Sequence, residues 1–118
     1  MNKYIDPLEW KRKSQFEFFK DFGNPFFSLV ANVKCGKSVI HCKENNISFF
    51  LWYTYFMLKA ANEIEEFKYR YDGEKIIVYD VVNASPTIAR TDETFGFSYI
   101  RFYEDFDEFY KNAKIEIE

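Results

Sequence analysis

The sequence contains few of the residues on which several classes of proteins depend. Its 118 residues include 2 cysteines, 4 glycines, 3 prolines and 1 histidine. So few cysteines exclude a disulfide-rich scaffold, and so little glycine and proline excludes collagen-like and linker-like chains. Cys35 and Cys42 would lie about 10 Å apart on a helix, too far for a disulfide bond. We therefore expect a globular protein with reduced thiols.

A long hydrophobic run is also missing. The longest apolar stretch, residues 49–58, is interrupted by Thr54 and is well short of the roughly 20 residues that span a bilayer. The first 13 residues lack the basic and then apolar pattern of a signal peptide. We predict a cytoplasmic protein without membrane association, in which residues 49–58 form part of a core helix.

Positive charge is not in excess, whereas aromatic residues are abundant. Lysine and arginine number 16 against 19 acidic residues, which gives a net charge of -3 and a pI near 5.3. This balance argues against duplex nucleic acid as a partner, because phosphate backbones are bound largely through basic side chains. Aromatic residues make up 22% of the chain, with 15 phenylalanines. That content indicates a large core or a large apolar pocket.

Length and local patterns predict one domain that spans residues 1–118. Periodicity and capping residues predict helices over residues 7–22, 38–44, 49–64 and 106–117. Strands are predicted at residues 26–33, 67–71, 75–80, 87–91 and 95–102, with a tight turn at Asp72-Gly73. The pair Asp92-Glu93 is interpreted as the cap of a turn between two strands.

The chemical motifs of the chain have structural explanations. Residues 36–38 (GKS) resemble part of a phosphate-binding loop, but the glycine required five residues earlier is Ala31. His41, Cys42 and Cys35 are too few for a closed zinc site, so no metal is expected. No signature places a nucleophile beside His41, the only histidine. We therefore predict no catalytic residue from the motifs.

The densest aromatic segment lies near the N-terminus, where Phe18 and Phe19 are adjacent. Neighbouring residues on a helix point about 100° apart, so both rings cannot face one thin core. Their arrangement favours a pocket wall or a subunit interface over a simple core.

Several segments resemble the chloramphenicol acetyltransferase family. Residues 5–13 (IDPLEWKRK) and 16–19 (FEFF) are similar to its opening, and further matches follow in order at residues 48–51, 59–63, 69–74 and 92–99. The resemblance covers nearly the whole chain. It implies an α/β (α+β) sandwich, here truncated, in which a mixed sheet is packed by helices.

The resemblance stops short of the catalytic part of the family. Family members are about twice as long, and their C-terminal half carries a His-His-x-x-x-Asp-Gly motif whose second histidine accepts the proton of the acceptor hydroxyl. No segment of this chain matches that motif, and His41 lies in a poorly matching segment. The resemblance therefore implies a chain without the catalytic base, and we interpret it as non-catalytic.

The resemblance also implies a binding site at a subunit interface, because three subunits of the family meet around the acceptor. Arg12 matches an arginine that pairs with the aspartate of the absent motif. The positions that match the ligand-binding side of the family are Phe18, Phe19, Pro25 and Phe27, together with Arg12, Ala89 and Arg90. We predict a homo-oligomer, trimer first and dimer second, that binds a small molecule and needs no cofactor.

Three functions follow from these observations. The first is binding or sequestration of a small molecule, such as an antibiotic or a nucleotide-type defence signal. The second is O-acetyl transfer from acetyl-CoA with an atypical base, His41 or Glu93. The third is a truncated partner or inhibitor of a full-length acetyltransferase, since a truncated sheet leaves open edges.

Overall fold

The computed structural model describes residues 1–24 and 26–118. Over these residues one strand, three helices, four strands and a last helix follow in the order β1 (Lys3–Ile5), α1 (Lys13–Phe19), α2 (Gly36–Glu44), α3 (Phe49–Glu63), β2 (Tyr69–Asp72), β3 (Lys75–Val78), β4 (Thr87–Ala89), β5 (Phe95–Phe97) and α4 (Phe106–Ile117). A 3-10 helix at Glu65–Lys68 precedes β2. This arrangement confirms the α+β class predicted from the sequence.

The described strands form two small antiparallel sheets. The first has the order β1-β3-β2 and the second pairs β4 with β5. Asp72 pairs with Lys75 at the end of the β2–β3 hairpin, and Gly73 at the first loop position has a φ of 62°, which is typical of a type II′ turn. The predicted hairpin is thus confirmed, and its turn residues are Gly73 and Glu74.

The core lies between α3 and α4. Both helices begin at side-chain caps, because Ser48 Oγ accepts the amide of Leu51 at 3.4 Å and Asp105 Oδ1 accepts the amide of Glu108 at 2.9 Å. Their facing side chains and Ile100, which lies between β5 and α4, form one buried cluster. Its members are Leu51, Tyr55, Leu58, Ile100, Phe109 and Ala113. Both predicted helices are confirmed, and Asp105, directly before the first turn of α4, is its cap.

The strand predicted at residues 95–102 is shorter than expected. Strand β5 ends at Phe97, and beyond it only an isolated bridge joins Ala84 to Ile100 in the described part of the chain. Ser98 and Ile100 are buried, whereas the aromatic side of the segment, Phe95, Phe97 and Tyr99, is exposed. The aromatic side therefore faces away from the core.

The N-terminal region departs most from prediction. The helix predicted from Pro7 begins at Lys13 and ends at Phe19. Asp6 caps only a local turn, in which its Oδ1 accepts the amide of Leu8 at 2.9 Å. Trp10 then packs edge-on against Tyr69 at 5.8 Å between ring centroids, and this long-range contact replaces the first helical turns. The preceding strand β1, which pairs with β3, was not predicted.

The strand predicted at residues 26–33 is the second correction. Within the described residues, neither sheet includes this segment, and its large apolar side chains are exposed. A strand needs a partner to satisfy its backbone groups. The segment therefore has a strand-like composition without a strand pairing.

None of the helices seen in the described residues has both the length and the apolar composition needed to cross a membrane. Of the two cysteines, Cys35 is exposed and Cys42 is buried.

Candidate functional site

Three phenylalanine rings lie together on the surface at the end of α1. The ring centroids of Phe18 and Phe19 are 4.9 Å apart, and those of Phe18 and Phe22 are 5.5 Å apart. The third pair, Phe19 and Phe22, is separated by 5.1 Å. Their exposed fractions are 66%, 43% and 48%. We call Phe18, Phe19 and Phe22 the phenylalanine cluster.

The local fold explains why this cluster faces outward. Phe16 is buried and packs edge-on against Tyr71 of the hairpin at 5.6 Å. Because that contact seats one side of α1 on the hairpin, the next residues are turned away from it. Helix α1 then ends at Phe19. In the turn that follows, the amide of Phe22 donates to the carbonyl of Phe19 at 3.0 Å, and this turn places the Phe22 ring beside those of Phe18 and Phe19.

The structure brings two of the predicted site residues, Phe18 and Phe19, into direct contact. Phe22 belongs to the dense aromatic segment noted in the sequence but was not among the predicted site residues, although its spacing of four residues from Phe18 places both on one helical face. Phe27 is 88% exposed and contributes a further ring on the surface. Pro25 lies outside the described residues.

Arg12 lies at the start of α1 and has a carboxylate partner of its own. Its Nη2 atom is 3.3 Å from Glu66 Oε1, and its guanidinium lies 6.0 Å from the centroid of the Trp10 ring. About half of each side chain in the ion pair is exposed, so the pair contributes little to stability. The pairing with Glu66 could not be predicted from the sequence because 54 residues separate the two.

A second acidic residue of the same 3-10 helix holds the N-terminal strand. Lys3 Nζ donates to Glu65 Oε2 at 2.7 Å, and the hydroxyl of Tyr69 donates to Glu65 Oε1 at 2.9 Å. The hydrogen bond from Lys3, and then that from Tyr69, lowers the pKa of Glu65. Burial, followed by the bond to Glu65, raises the pKa of Tyr69. The bond from Lys3 thus attaches β1 to the 3-10 helix that also carries Glu66, the partner of Arg12.

Ala89 and Arg90 lie at the end of β4 and the start of the turn into β5. The amide of Arg90 donates to the carbonyl of Thr94 at 2.9 Å, while its guanidinium lies directly over Gly96, where a side chain would collide with it. Asp92 Oδ1 accepts the amide of Thr94 at 3.1 Å and its hydroxyl at 2.6 Å. The hydroxyl bond of Thr94, the larger cause, lowers the pKa of Asp92.

These contacts confirm Asp92 as the cap of this turn. Glu93 occupies the turn itself with a φ of 65°. The described contacts of Arg12, of Arg90 and of the phenylalanine cluster share no residue: Arg12 and the cluster lie at opposite ends of α1, and Arg90 follows β4.

His41 belongs to the packing of α2 against α3. Its ring lies 4.9 Å from that of Trp52, and its Nδ1 is 3.3 Å from Asn45 Nδ2. The His41 side chain is exposed. Within residues 1–24 and 26–118, groups of three or more side chains suited to hold a metal ion are absent.

A broad groove lies on the opposite side of α1 from the phenylalanine cluster. It has a volume of about 790 Å³ and runs between the turn after β1, α1 and the hairpin, with Tyr4, Phe16 and Tyr71 among its walls. The hydroxyl of Tyr4 donates to Asp72 Oδ2 at 2.9 Å, and this hydrogen bond raises the pKa of Tyr4. The predicted site residues that the structure describes do not line this groove.

The fold and the exposed rings define an α+β protein with an aromatic surface site. The sequence profile of the chloramphenicol acetyltransferase family matches residues 1–118. The chain therefore belongs to the chloramphenicol acetyltransferase family.

Individual relatives support the same assignment. The chain is 30% identical to a chloramphenicol acetyltransferase of Clostridium butyricum, covering 92% of this chain and 53% of the relative. It is 25% identical to one of Proteus mirabilis, covering 96% and 52%. A solved chloramphenicol acetyltransferase matches with a TM-score of 0.87 and 38% identity, over 98% of this chain and 55% of the other. The chain thus spans about half the length of these relatives.

Proposed function

We propose that this chain is a non-catalytic member of its family that binds, and so sequesters, a small molecule at an interface between subunits. The observation that carries the proposal is the phenylalanine cluster, in which three rings lie on the surface within 5.5 Å of one another. Surface exposure of three neighbouring rings is unfavourable unless another molecule covers them.

An aromatic ligand suits this surface. Offset or edge-on contacts between rings contribute about 0.5–1.5 kcal/mol per pair beyond the area that they bury. The cluster is open, however, and small-molecule sites usually enclose about 70–90% of the ligand surface. A second subunit is the simplest second wall, which supports the expected homo-oligomer, trimer first and dimer second.

The chemistry of the described residues supports binding without turnover. A general base must reach the reacting hydroxyl at about 2.6–3.2 Å and titrate near the working pH. His41, the one histidine of the chain, packs on Trp52 of α3, whereas the cluster is formed by the end of α1. The cluster therefore supplies an apolar wall and no proton acceptor of its own.

Binding of chloramphenicol, the molecule in the names of the relatives, tests the proposal directly. Isothermal titration calorimetry of the full chain should give a saturable heat, and native mass spectrometry should show the ligand on an oligomer. Phe18→Ala should weaken binding by about 5- to 30-fold, as loss of one to two kcal/mol of ring contact predicts. The matched control is Phe67→Ala, an equally exposed ring outside the cluster at 59% exposure.

A panel of purine nucleotides in the same assay covers the nucleotide-type alternative. Equal affinity of the Phe18→Ala and Phe67→Ala variants for every ligand that binds would contradict the proposed site. Failure of all the ligands to bind would contradict the proposed function for the antibiotic and nucleotide classes.

Acetyl transfer is the second candidate, and family membership favours it. The donor would be acetyl-CoA and the base His41 or Glu93. An assay of coenzyme A thiol release with chloramphenicol tests this function. Activity that is lost in His41→Ala or Glu93→Gln would establish it, whereas an inactive wild-type chain that still binds chloramphenicol would support the binding function.

A further inference from the structure

The groove between the turn after β1, α1 and the hairpin is large enough for a small molecule. Its volume of about 790 Å³ falls within the roughly 300–1,000 Å³ that is usual for small-molecule sites. Tyr4 and Tyr71 line it and are 57% and 53% exposed. Phe16 also lines it, buried and edge-on to Tyr71 at 5.6 Å. The groove therefore offers aromatic surface to a ligand.

Acidic side chains outnumber basic ones around this groove. Its lining includes four carboxylates, Asp6, Glu17, Asp21 and Glu74, and two lysines, Lys20 and Lys75. In the part of the chain that the structure describes, none of the four carboxylates forms an ion pair. The lining therefore carries more negative than positive charge, and a groove lined by one sign of charge attracts ligands of the other sign. Its charge is complementary to a cation.

The carboxylates stand on different sides of the groove. Asp6 lies in the turn after β1, Glu17 lies on α1 with Asp21 just beyond its end, and Glu74 lies in the turn of the hairpin. A divalent metal ion needs its oxygen ligands to converge at about 2.0–2.6 Å, and among the described residues no group of three or more such side chains is placed to hold one. The negative charge is thus distributed along the groove, which suits a ligand whose positive charges are distributed as well.

The aromatic lining of the groove already accommodates an ammonium group. Lys75 Nζ lies 5.9 Å from the centroid of the Tyr4 ring, within the distance of about 6 Å over which a ring face attracts a cation. The Tyr4 hydroxyl donates to Asp72 Oδ2 at 2.9 Å, and this bond ties the ring to the hairpin. The same rings offer apolar surface on which the methylene groups of a ligand can pack.

The exposure of the carboxylates determines how many charges the ligand needs. All four are exposed, and a single ion pair in contact with water contributes little to binding. A ligand with one ammonium group would form one such pair. A ligand with several ammonium groups on one chain forms several pairs at once, and its connecting methylene groups bury apolar surface against the rings.

We propose that this groove is a binding site for a linear aliphatic polyamine, a flexible chain of methylene groups that carries several ammonium groups. Its ammonium groups pair with the carboxylates of Glu17 and Glu74 on opposite walls, and the methylene groups between them lie against Tyr4 and Tyr71. The phenylalanine cluster lies on the other side of α1, so this second site does not rest on the ligand binding proposed above.

Titration of the full chain with spermine, a tetra-amine of this class, tests the proposal. Isothermal titration calorimetry at low salt should show saturable binding of one spermine per chain. In two-dimensional NMR spectra, the amide resonances within residues 4–8 and 71–75 should shift more than those of α2. Glu17→Gln and Glu74→Gln should each weaken binding by about 2- to 5-fold, and the double variant by about 4- to 25-fold if the two losses add.

Glu44→Gln is the matched control for the charge of the chain. Glu44 is the last residue of α2 and is exposed, so its replacement removes the same charge outside the groove and should leave spermine binding unchanged. Glu17 and Glu74 are exposed as well, and the circular dichroism of all three variants should match that of the wild type. Equal weakening by Glu44→Gln and Glu17→Gln would overturn the proposal, because the net charge alone would then attract the ligand.

Two further cations test the chemical class of the ligand. Hexaamminecobalt(III), a compact trivalent cation without methylene groups, should bind roughly 10-fold more weakly than spermine or less tightly still. Equal binding of the two would overturn the assignment to a polyamine. A tetralysine peptide that binds as tightly as spermine would also overturn it and would assign the groove to a basic protein segment. Absence of spermine binding at millimolar concentration would overturn the site itself, whereas chloramphenicol binding and its loss in Phe18→Ala test the phenylalanine cluster separately.

Discussion

The two helical regions of this protein use their aromatic residues in opposite ways. Between α3 and α4 the rings of Tyr55 and Phe109 lie 5.3 Å apart in a buried cluster. Around α1 the rings of Phe18 and Phe19 lie even closer, at 4.9 Å, but both are exposed. Aromatic contact alone therefore does not make a core. The difference arises because α3 and α4 pack on each other, whereas the phenylalanine cluster has no second layer among the described residues.

The buried and the exposed aromatic residues are expected to have different roles. Burial of a ring stabilises the fold, whereas an exposed ring contributes mainly to contacts that another molecule completes. The α3–α4 region should therefore determine the free energy of unfolding, and the α1 region should determine recognition.

The largest expected effect comes from the most buried ring. Phe109 is 0% exposed, so Phe109→Ala should lower the free energy of unfolding by about 3–5 kcal/mol through lost burial and a cavity. Phe18→Ala should change it by less than about 0.5 kcal/mol. Urea denaturation followed by circular dichroism measures both. Similar losses for the two variants would mean that the α1 region belongs to the same core.

A smaller effect is expected from one hydrogen bond of the core. The hydroxyl of Tyr55 donates to the carbonyl of Glu104 at 2.6 Å and ties α3 to the segment before α4. Tyr55→Phe should lower the free energy of unfolding by about 1–2 kcal/mol, because a part-buried carbonyl loses its donor. Tyr53→Phe, on the outer face of the same helix, is the matched control and should be neutral. If Tyr55→Phe leaves the free energy of unfolding unchanged, water replaces the hydrogen bond to the carbonyl of Glu104.

The hairpin that seats α1 should show an effect of about the same size or less. Gly73 has a φ of 62° and space around its Cα, so Gly73→Ala introduces backbone strain without a steric clash. We expect a loss of about 1 kcal/mol in the same denaturation experiment. Gly36→Ala, also in open space but without a positive φ, is the control. A loss common to both variants would contradict the strained turn as the cause.

The sequence predicted the α3–α4 region well because its signals are local. Ser48 precedes α3 and Asp105 precedes α4, and each cap lies within three residues of the amide that it accepts. The phenylalanine cluster was also partly predictable, since adjacent rings at 18 and 19 cannot share one face.

The N-terminal region was predicted poorly because its structure depends on distant residues. A helix was predicted from Pro7, yet it begins only at Lys13, beyond the packing of Trp10 on the distant Tyr69. Strand β1 has only 3 residues and exists through its pairing with β3. Residues 26–33 have the composition of a strand, but composition cannot supply the partner that a strand requires.

The smallest expected effect concerns the ion pair that fastens this region. Lys3 lowers the pKa of Glu65 below its ordinary 4.5. A carboxyl whose pKa is depressed in the folded state stabilises the fold above its unfolded pKa, and this contribution is lost as the pH falls through the lower, folded value. Glu65→Gln should therefore flatten the dependence of stability on pH below about 4.5. Its effect on stability at neutral pH should be slight, because the pair is exposed.

Denaturant unfolding from pH 3 to pH 7 measures this dependence, and Glu63→Gln at the end of α3 is the control. If Glu65→Gln follows the wild-type pH profile, the bond between Lys3 and Glu65 does not persist in solution, and the pairing of β1 with β3 must hold the N-terminus alone. If the profile flattens as expected, the ion pair holds β1 against the 3-10 helix in addition to the pairing of β1 with β3.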